Sequence, residues 1–547
     1  MRGAGGAEVE SRFSGGRGLL LLLALLLLLR LLTLGRLPLF DVTESRYAEI
    51  GREMAVTGDW ITPTLHGGEP FLAKPPLHLW ITAASIRAFG ANEWAARLPG
   101  FLAAIGTLAI VAAVGRALFG AEASRLAVLL LGTSGLFYLL SGAVVLDGTF
   151  TLTTTGAIGS FLLHRRDPTR RVHGLLVFLF LGLGLLAKGP AAAVLVLLAI
   201  GAGSAARRSA AGLRALPWLP GIGIGLAVAG PWYLLAERAT PGFWNYFFIH
   251  EHLLRYLRRE YGDLYGHGHV SPYGLVWVLG FLAFLPWTPG LVGAARRAWC
   301  GRGTAVTDPS VPFLWSGALV PLVFFTLSRS LSLPYVLPSL PFLALLLGRE
   351  WAVGEGRVIR WPLLLTPVLF LGGSIFALYE FPSSTIEKAA LLVLSAGLAL
   401  AALVAARSGS RGVLLGAGAV LFPAFLLGAT FALPRSVGEA KSTRHLAEAV
   451  ARIPGDGERE VLFHGGVPLS AEFYFGGRVS GFDPGKEAGA GGESGGDLIL
   501  VLRGGREEEL PPEIGARLSL AGTSGRHRIY ILPAASSPAG AGKEGAR

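Results

Sequence analysis

Charge is scarce in this sequence and cysteine nearly absent. Of 547 residues, only 15% are Asp, Glu, Lys or Arg, against about 25% in an ordinary soluble domain. That shortfall disfavours a cytosolic globular enzyme. The single cysteine, Cys300, excludes an intrachain disulfide scaffold and a four-cysteine zinc site. The sequence has no P-loop and no dinucleotide fingerprint, so a cytosolic ATP or nucleotide-sugar site has no support. It shows no internal repeat, including none of the inverted transporter type. What it has instead is apolar residues, 52% of the chain, at a mean hydropathy of +0.55. Disorder, which needs low hydrophobicity, is excluded as well.

The formal net charge of +12 is unevenly placed. From Pro434 onward, 14 Lys/Arg meet 15 Asp/Glu, a balance of −1, so the apolar remainder carries +13. Basic residues between apolar runs report membrane topology rather than nucleic acid. The leucine block Leu19–Leu34 follows Arg2, Arg12 and Arg17. It is too long for the apolar region of a cleaved signal peptide, and reads as an uncleaved first span with its start in the cytoplasm.

Further apolar segments fall near 98–115, 125–145, 148–163, 173–187, 189–204, 217–236, 273–293, 311–328, 332–348, 361–380, 386–406 and 411–433. With the first, that makes about 13 spans. Alternating sides puts 20 basic residues on the cytoplasmic face, in clusters such as 165–171, 207–214, 296–302 and 349–360. The short loops of the other face hold only Lys188, Arg329 and Lys388. This is the bias that the positive-inside rule requires. The reading is a membrane domain over 1–433, with a long outer loop at 41–97, and a small outer α/β domain over 434–547. In the tail, 442–453 has helical spacing. Residues 461–463, 472–475, 498–502 and 528–532 look like strands, and 484–496 and 536–547 are Gly-rich.

The long loop is unusually polar for this chain: "FDVTESRYAEIGREMAVTGDWITPTLHGGEPFLAKPPLHLW". Tyr47, Ile50 and Met54 recur at helical spacing among charges, which describes an amphipathic helix on the membrane surface ending near Gly58. A second helix begins at Pro75/Pro76, where proline suits a first turn. Lys74 stands just ahead of it. Free helix amides and a lysine make a phosphate cradle, and Arg46 adds a two-pronged donor. Lys74 could equally snorkel to the headgroups. Asp41 and Glu44 are either a capping box or catalytic carboxylates.

Asp147 opens an apolar run at a span boundary, where a carboxylate is a functional candidate or a solvated Asp-Gly turn. A loop at 237–272 carries His250, His252, Arg255, Arg258, His267 and His269, suited to phosphate, acceptor or a divalent metal, though without HExxH spacing. Its run Phe243–Phe248 suits a headgroup belt or a lipid chain. Tyr335, in "SLPYVLP", is an interface anchor or a site residue.

The stretch 41–99, with "FFIHEHLLRY" and "SLPYVLP", resembles the bacterial glycosyltransferase family 39 membrane enzymes, which include aminoarabinose transferases that modify lipid A and relatives of protein O-mannosyltransferases. The likeness covers roughly 20–350. It implies a glycosyltransferase C fold in the bacterial inner membrane with its active site on the periplasmic side. It also implies inverting transfer from a polyprenyl-phosphate sugar donor to a lipid, glycan or protein acceptor. Nucleic acid is not an implied partner, and no cofactor is required beyond a candidate divalent metal. By position, the resemblance implies that Lys74 holds the donor phosphate, that Arg46 and Tyr335 line the donor site, and that Asp147 is the second-loop acid. The sequence departs from the family pattern twice. Thr43 stands where the family's catalytic Asp is expected, leaving Asp41 or Glu44 as the base, and Ala73 stands where relatives often carry Glu. The rival reading is a transporter or flippase of lipid-linked sugars, which would place charges inside the spans.

Overall fold

The computed structural model describes residues 4–257, 262–263, 266–267, 271–299, 308–328, 331–353, 360–380, 384–408, 410–432, 434–454, 460–483, 498–504 and 506–533. Arg2, Arg258, His269, Cys300, Arg302, Arg329, Arg357 and the two Gly-rich stretches lie outside the described residues, as do the side chains of Arg12, His267, Arg297 and Arg360. The chain forms two compact units: Met1–Leu37 with Ile50–Thr64 and Pro70–Pro434, and Pro38–Glu49 with Leu65–Glu69 and Arg435–Arg547. The long outer loop therefore contributes to both.

The first unit is helical. Each apolar segment found in the sequence coincides with one helix or with a broken pair. Among the described residues, five helices are long and apolar enough to cross a membrane: Glu93–Phe119, Arg171–Lys188, Trp218–Ala239, Thr385–Ala406 and Arg411–Ala432. Three expected spans are interrupted. Segment 125–145 breaks between Ala121–Gly132 and Gly135–Leu140, where the Gly135 amide donates to the Leu285 carbonyl at 2.7 Å. A Cβ on Gly135 would meet the Phe422 ring at 2.9 Å, so any larger residue must displace that ring. Segment 273–293 bends by 109° between Leu275–Ala283 and Thr288–Arg296, around Pro286 and Pro289, which cannot continue a helix interior. Segment 332–348 starts as a 3-10 turn, Leu333–Ser339, before the helix Leu340–Ala352.

In the long loop, the two expected helices form as Thr43–Thr57 and Leu77–Phe89, the latter with Pro76 at its N-cap. The third outer segment is helical over most of its part up to Leu257. The Trp218–Ala239 helix runs into it, a π-helix occupies Asn245–Leu254, and Arg255–Leu257 continue as α-helix. Its aromatic run is half packing: Phe243 and Phe247 are buried against Trp232, while Trp244 and Phe248 stay exposed.

The second unit holds a five-stranded sheet in the order Val479–Gly481, Val461–Phe463, Leu498–Arg503, His527–Leu532, Ser519–Ser524. The first three strands run parallel and the last two pairings are antiparallel. Residues 472–475, expected as a strand, belong instead to the helix Leu469–Tyr474. The extended Pro468 starts that helix, and Ser470 to Phe473 are all buried, so no alternation marks the run. Strands Val479–Gly481 and Ser519–Ser524 carry no apolar run and were invisible to periodicity.

Candidate active site

In the first unit, a cavity of about 510 Å³ brings together side chains from four separate segments. Lys74 reaches it from the turn before the Leu77–Phe89 helix. His252 and Arg255 come from the π-helix and its continuation, Lys188 from the end of the Arg171–Lys188 helix, and Tyr335 from the 3-10 turn. The other walls are apolar, with Pro190, Val194, Leu253, Phe324 and Phe325 among them. Cations at one end of an apolar cleft suit an anionic headgroup with a hydrocarbon chain.

The charges are organised by two carboxylates. Glu251 Oε1 accepts from Lys74 and, at 2.6 Å, from Arg255. Burial works to raise the Glu251 carboxyl, but Lys74 and Arg255 outweigh it and hold the group below the usual glutamate range. Asp147, in the first turn of the Leu146–Arg166 helix, pairs with Lys188 and gains from the helix dipole. The Lys188 ammonium also lies 4.2 Å from the Tyr335 ring centroid and 5.2 Å from that of Phe150, within cation–π range. Lys188 was counted in the sequence only as a topology charge. Its signal was there: a lysine at an apolar helix end on the face that otherwise avoids basic residues.

His252 lines the cavity, and its Nδ1 contacts the Phe247 carbonyl at 2.7 Å. Burial pushes its pKa down, so the ring is neutral at pH 7. His250 stacks on Tyr246 instead and is not among the lining residues. Among the described residues, no group of three or more His, Cys, Asp or Glu side chains is placed to hold a metal ion. The donor set for the candidate divalent metal is not met by them.

Asp41, Glu44 and Arg46 belong to the second unit. There the Asp41 carboxylate accepts from the Ser470 amide at 2.7 Å and from the Ser470 hydroxyl at 2.5 Å. Burial raises its pKa above the ordinary aspartate value, with the Ser470 hydrogen bonds opposing. Glu44 accepts from the Phe40 amide at 3.2 Å, just ahead of the Thr43–Thr57 helix. The helix Leu469–Tyr474 also meets the loop at His66, which contacts Glu472, and at Leu39, whose amide donates to the Tyr474 hydroxyl at 2.8 Å.

Two residues on from Asp147, the fully buried His78 contacts Thr149 through Nδ1 at 2.9 Å. Burial pushes His78 down to about 4, with Asp147 opposing. The unfolded chain then binds a proton that the folded protein refuses. Stability contributed by neutral His78 is complete above pH 6.5 and is lost as pH falls towards 4. By pH 5 the loss is about 2 kcal/mol. Melting temperatures in detergent at pH 7 and pH 5 should drop more for wild type than for His78→Asn; equal drops would show that His78 does not control this limb.

Comparison with known proteins places this site in context. Residues 18–247 match the family described as dolichyl-phosphate-mannose-protein mannosyltransferase. The undecaprenyl phosphate-α-4-amino-4-deoxy-L-arabinose arabinosyl transferase of Aeromonas salmonicida is 33% identical over 447 residues, 77% of each chain. The chain belongs to glycosyltransferase family 39, alongside these arabinosyl transferases. A second family member, the Edwardsiella ictaluri enzyme of the same name, is 31% identical over 62% of this chain and 60% of its own length. The crystal structure of ArnT from Cupriavidus metallidurans bound to undecaprenyl phosphate superimposes with a TM-score of 0.77 at 22% identity, covering 95% of this chain and 98% of that one. The family's glycosyltransferase C fold is thereby shown for this chain as well.

Proposed function

We propose that this family 39 member transfers a single sugar, 4-amino-4-deoxy-arabinose or a close analogue, from undecaprenyl phosphate to a hydroxyl or phosphate of a lipid, glycan or protein acceptor. Transfer takes place at the periplasmic face of the bacterial inner membrane, in a chain crossing it about 13 times. The observation carrying this reading is the single cavity in which Lys74, Arg255, Lys188 and Tyr335 meet apolar walls. The lipid tail occupies the apolar part, and the phosphate meets the cations. As the sugar's anomeric carbon leaves, negative charge builds on the phosphate, and fixed positive groups stabilise that charge more than the ground state. No strong general acid is needed, because the phosphate is a good leaving group. Attack from the opposite face inverts the anomeric centre. The acceptor's proton goes to a carboxylate of the long outer loop, Asp41 or Glu44; the raised Asp41 pKa brings it nearer the working pH of a base.

Purified protein with a labelled lipid-linked sugar and a panel of acceptors tests the reading. Labelled acceptor and free undecaprenyl phosphate should appear together. Movement of intact donor across a vesicle without its breakdown would establish the flippase alternative instead. In the same assay, Asp41→Asn and Glu44→Gln identify the base: the true one should slow transfer by about 10²–10⁴. If neither exceeds about tenfold, the base lies elsewhere, with Asp147 the next candidate.

A further inference from the structure

Glu251 has no assigned part in that transfer, yet it occupies the middle of the cation cluster. Its side chain is 2% exposed. While Oε1 takes both Lys74 and Arg255, Oε2 is buried and has no hydrogen-bond partner among the described residues. The charged and titratable groups around the cavity are Lys74 ahead of the Leu77–Phe89 helix, His252, Arg255 and Tyr256 from the π-helix and the turn after it, Lys188, and Tyr335. Histidine 252 is neutral for the reason given above. Three cations, set against the carboxylates Glu251 and Asp147, leave one net positive charge among the described residues.

A sugar linked to a lipid through a phosphodiester carries a single charge. The lipid phosphate left behind is a monoester whose second pKa is about 6, so at neutral pH and above it carries nearly two. Transfer creates that difference. The acceptor oxygen bonds to the anomeric carbon, and the bond from that carbon to the phosphate oxygen breaks with its electron pair staying on phosphate. The acceptor's proton goes to the base. Resting on the donor reading above, we propose that Glu251 limits how much more tightly this cavity holds the doubly charged phosphomonoester product than the singly charged phosphodiester donor, so that the spent lipid is released rather than retained. A positively charged cluster alone would hold the product more tightly than the donor. A buried carboxylate in its centre narrows that difference, because the second negative charge meets Glu251 at short range in a site partly shielded from water.

Two probes separate diester from monoester without any turnover: farnesyl phosphate and its methyl ester, bound to the full chain in nanodiscs at pH 8. Wild type should bind the two with affinities within about tenfold of each other. Glu251→Gln, which keeps the shape and removes the charge, should shift the ratio of the two affinities by about tenfold or more towards the monoester. A like charge at such distances shifts equilibria by one to three powers of ten. Glu251→Asp should keep the wild-type ratio. A ratio within twofold of wild type in Glu251→Gln overturns the proposal. Should that variant fail to fold, wild type alone decides, since a preference for the monoester of more than about tenfold at pH 8 also overturns it. If wild type transfers sugar while the ratio is unmoved, the charge selection falls and the donor reading stands. If wild type breaks down no lipid-linked sugar, the donor reading falls instead.

Discussion

Lys74→Ala is expected to lower sugar transfer by about 10²–10³. The lost ammonium is one of the fixed charges that meet the leaving phosphate, and no water placed there reproduces its charge. The protein should remain folded. Breaking a buried pair outright costs about 3–5 kcal/mol, but Arg255 still donates to Glu251 Oε1 at 2.6 Å, so the penalty should be well below that range. Two companions sharpen the test. Lys74→Arg keeps the charge but spreads it over a planar fork, and should lose less activity than alanine. Lys74→Ala with Glu251→Gln should regain melting temperature without regaining rate, because the second change removes the stranded carboxylate and not the missing cation. Steady-state transfer and thermal unfolding in the same detergent measure both. Wild-type rates in a folded Lys74→Ala would remove the phosphate role.

Lys188→Ala should have the next largest effect, a fall of about 10² in transfer. Lys188 is 14% exposed, pairs with Asp147 and sits 4.2 Å from the Tyr335 ring centroid. Its loss strips the cavity of a cation and leaves Asp147, 12% exposed, without that partner. Asp147→Asn should be milder, about tenfold, since it frees Lys188 rather than deleting it. Tyr335→Phe keeps the ring face that Lys188 approaches and should change rate by less than about threefold if the cation–π contact is what matters. Rates within twofold of wild type for Lys188→Ala would make the pair a purely structural one.

The helical architecture was largely legible, because an apolar run long enough to cross a bilayer has few other uses. The start of the Leu77–Phe89 helix was legible from Pro75 and Pro76, and with it the place of Lys74. What could not be read was which distant side chains those residues meet. Lys74 finds Glu251 177 positions away, and Asp147 finds Lys188 41 away. Neither pairing leaves a periodic trace. Asp41 was read as a cap or a base, and the structure adds Ser470, 429 positions on, as the group that orients it. The breaks in three spans follow from Gly135, Pro286 and the Leu333–Ser339 turn, single residues whose effect depends on neighbours that only the fold supplies. The helix Leu469–Tyr474 was misread for a related reason: a short run buried on every side has no period to read.

The central claim is that the donor's phosphate is held by the cations of this one cavity. A structure of the purified protein with undecaprenyl phosphate in nanodiscs tests it most directly. The account predicts phosphate density within hydrogen-bond reach of Lys74 Nζ and Arg255, roughly 2.7–2.9 Å, with the chain running along Phe324, Phe325 and Val194. Well-resolved lipid phosphate bound elsewhere on the protein, with this cavity empty at saturating ligand, would contradict it.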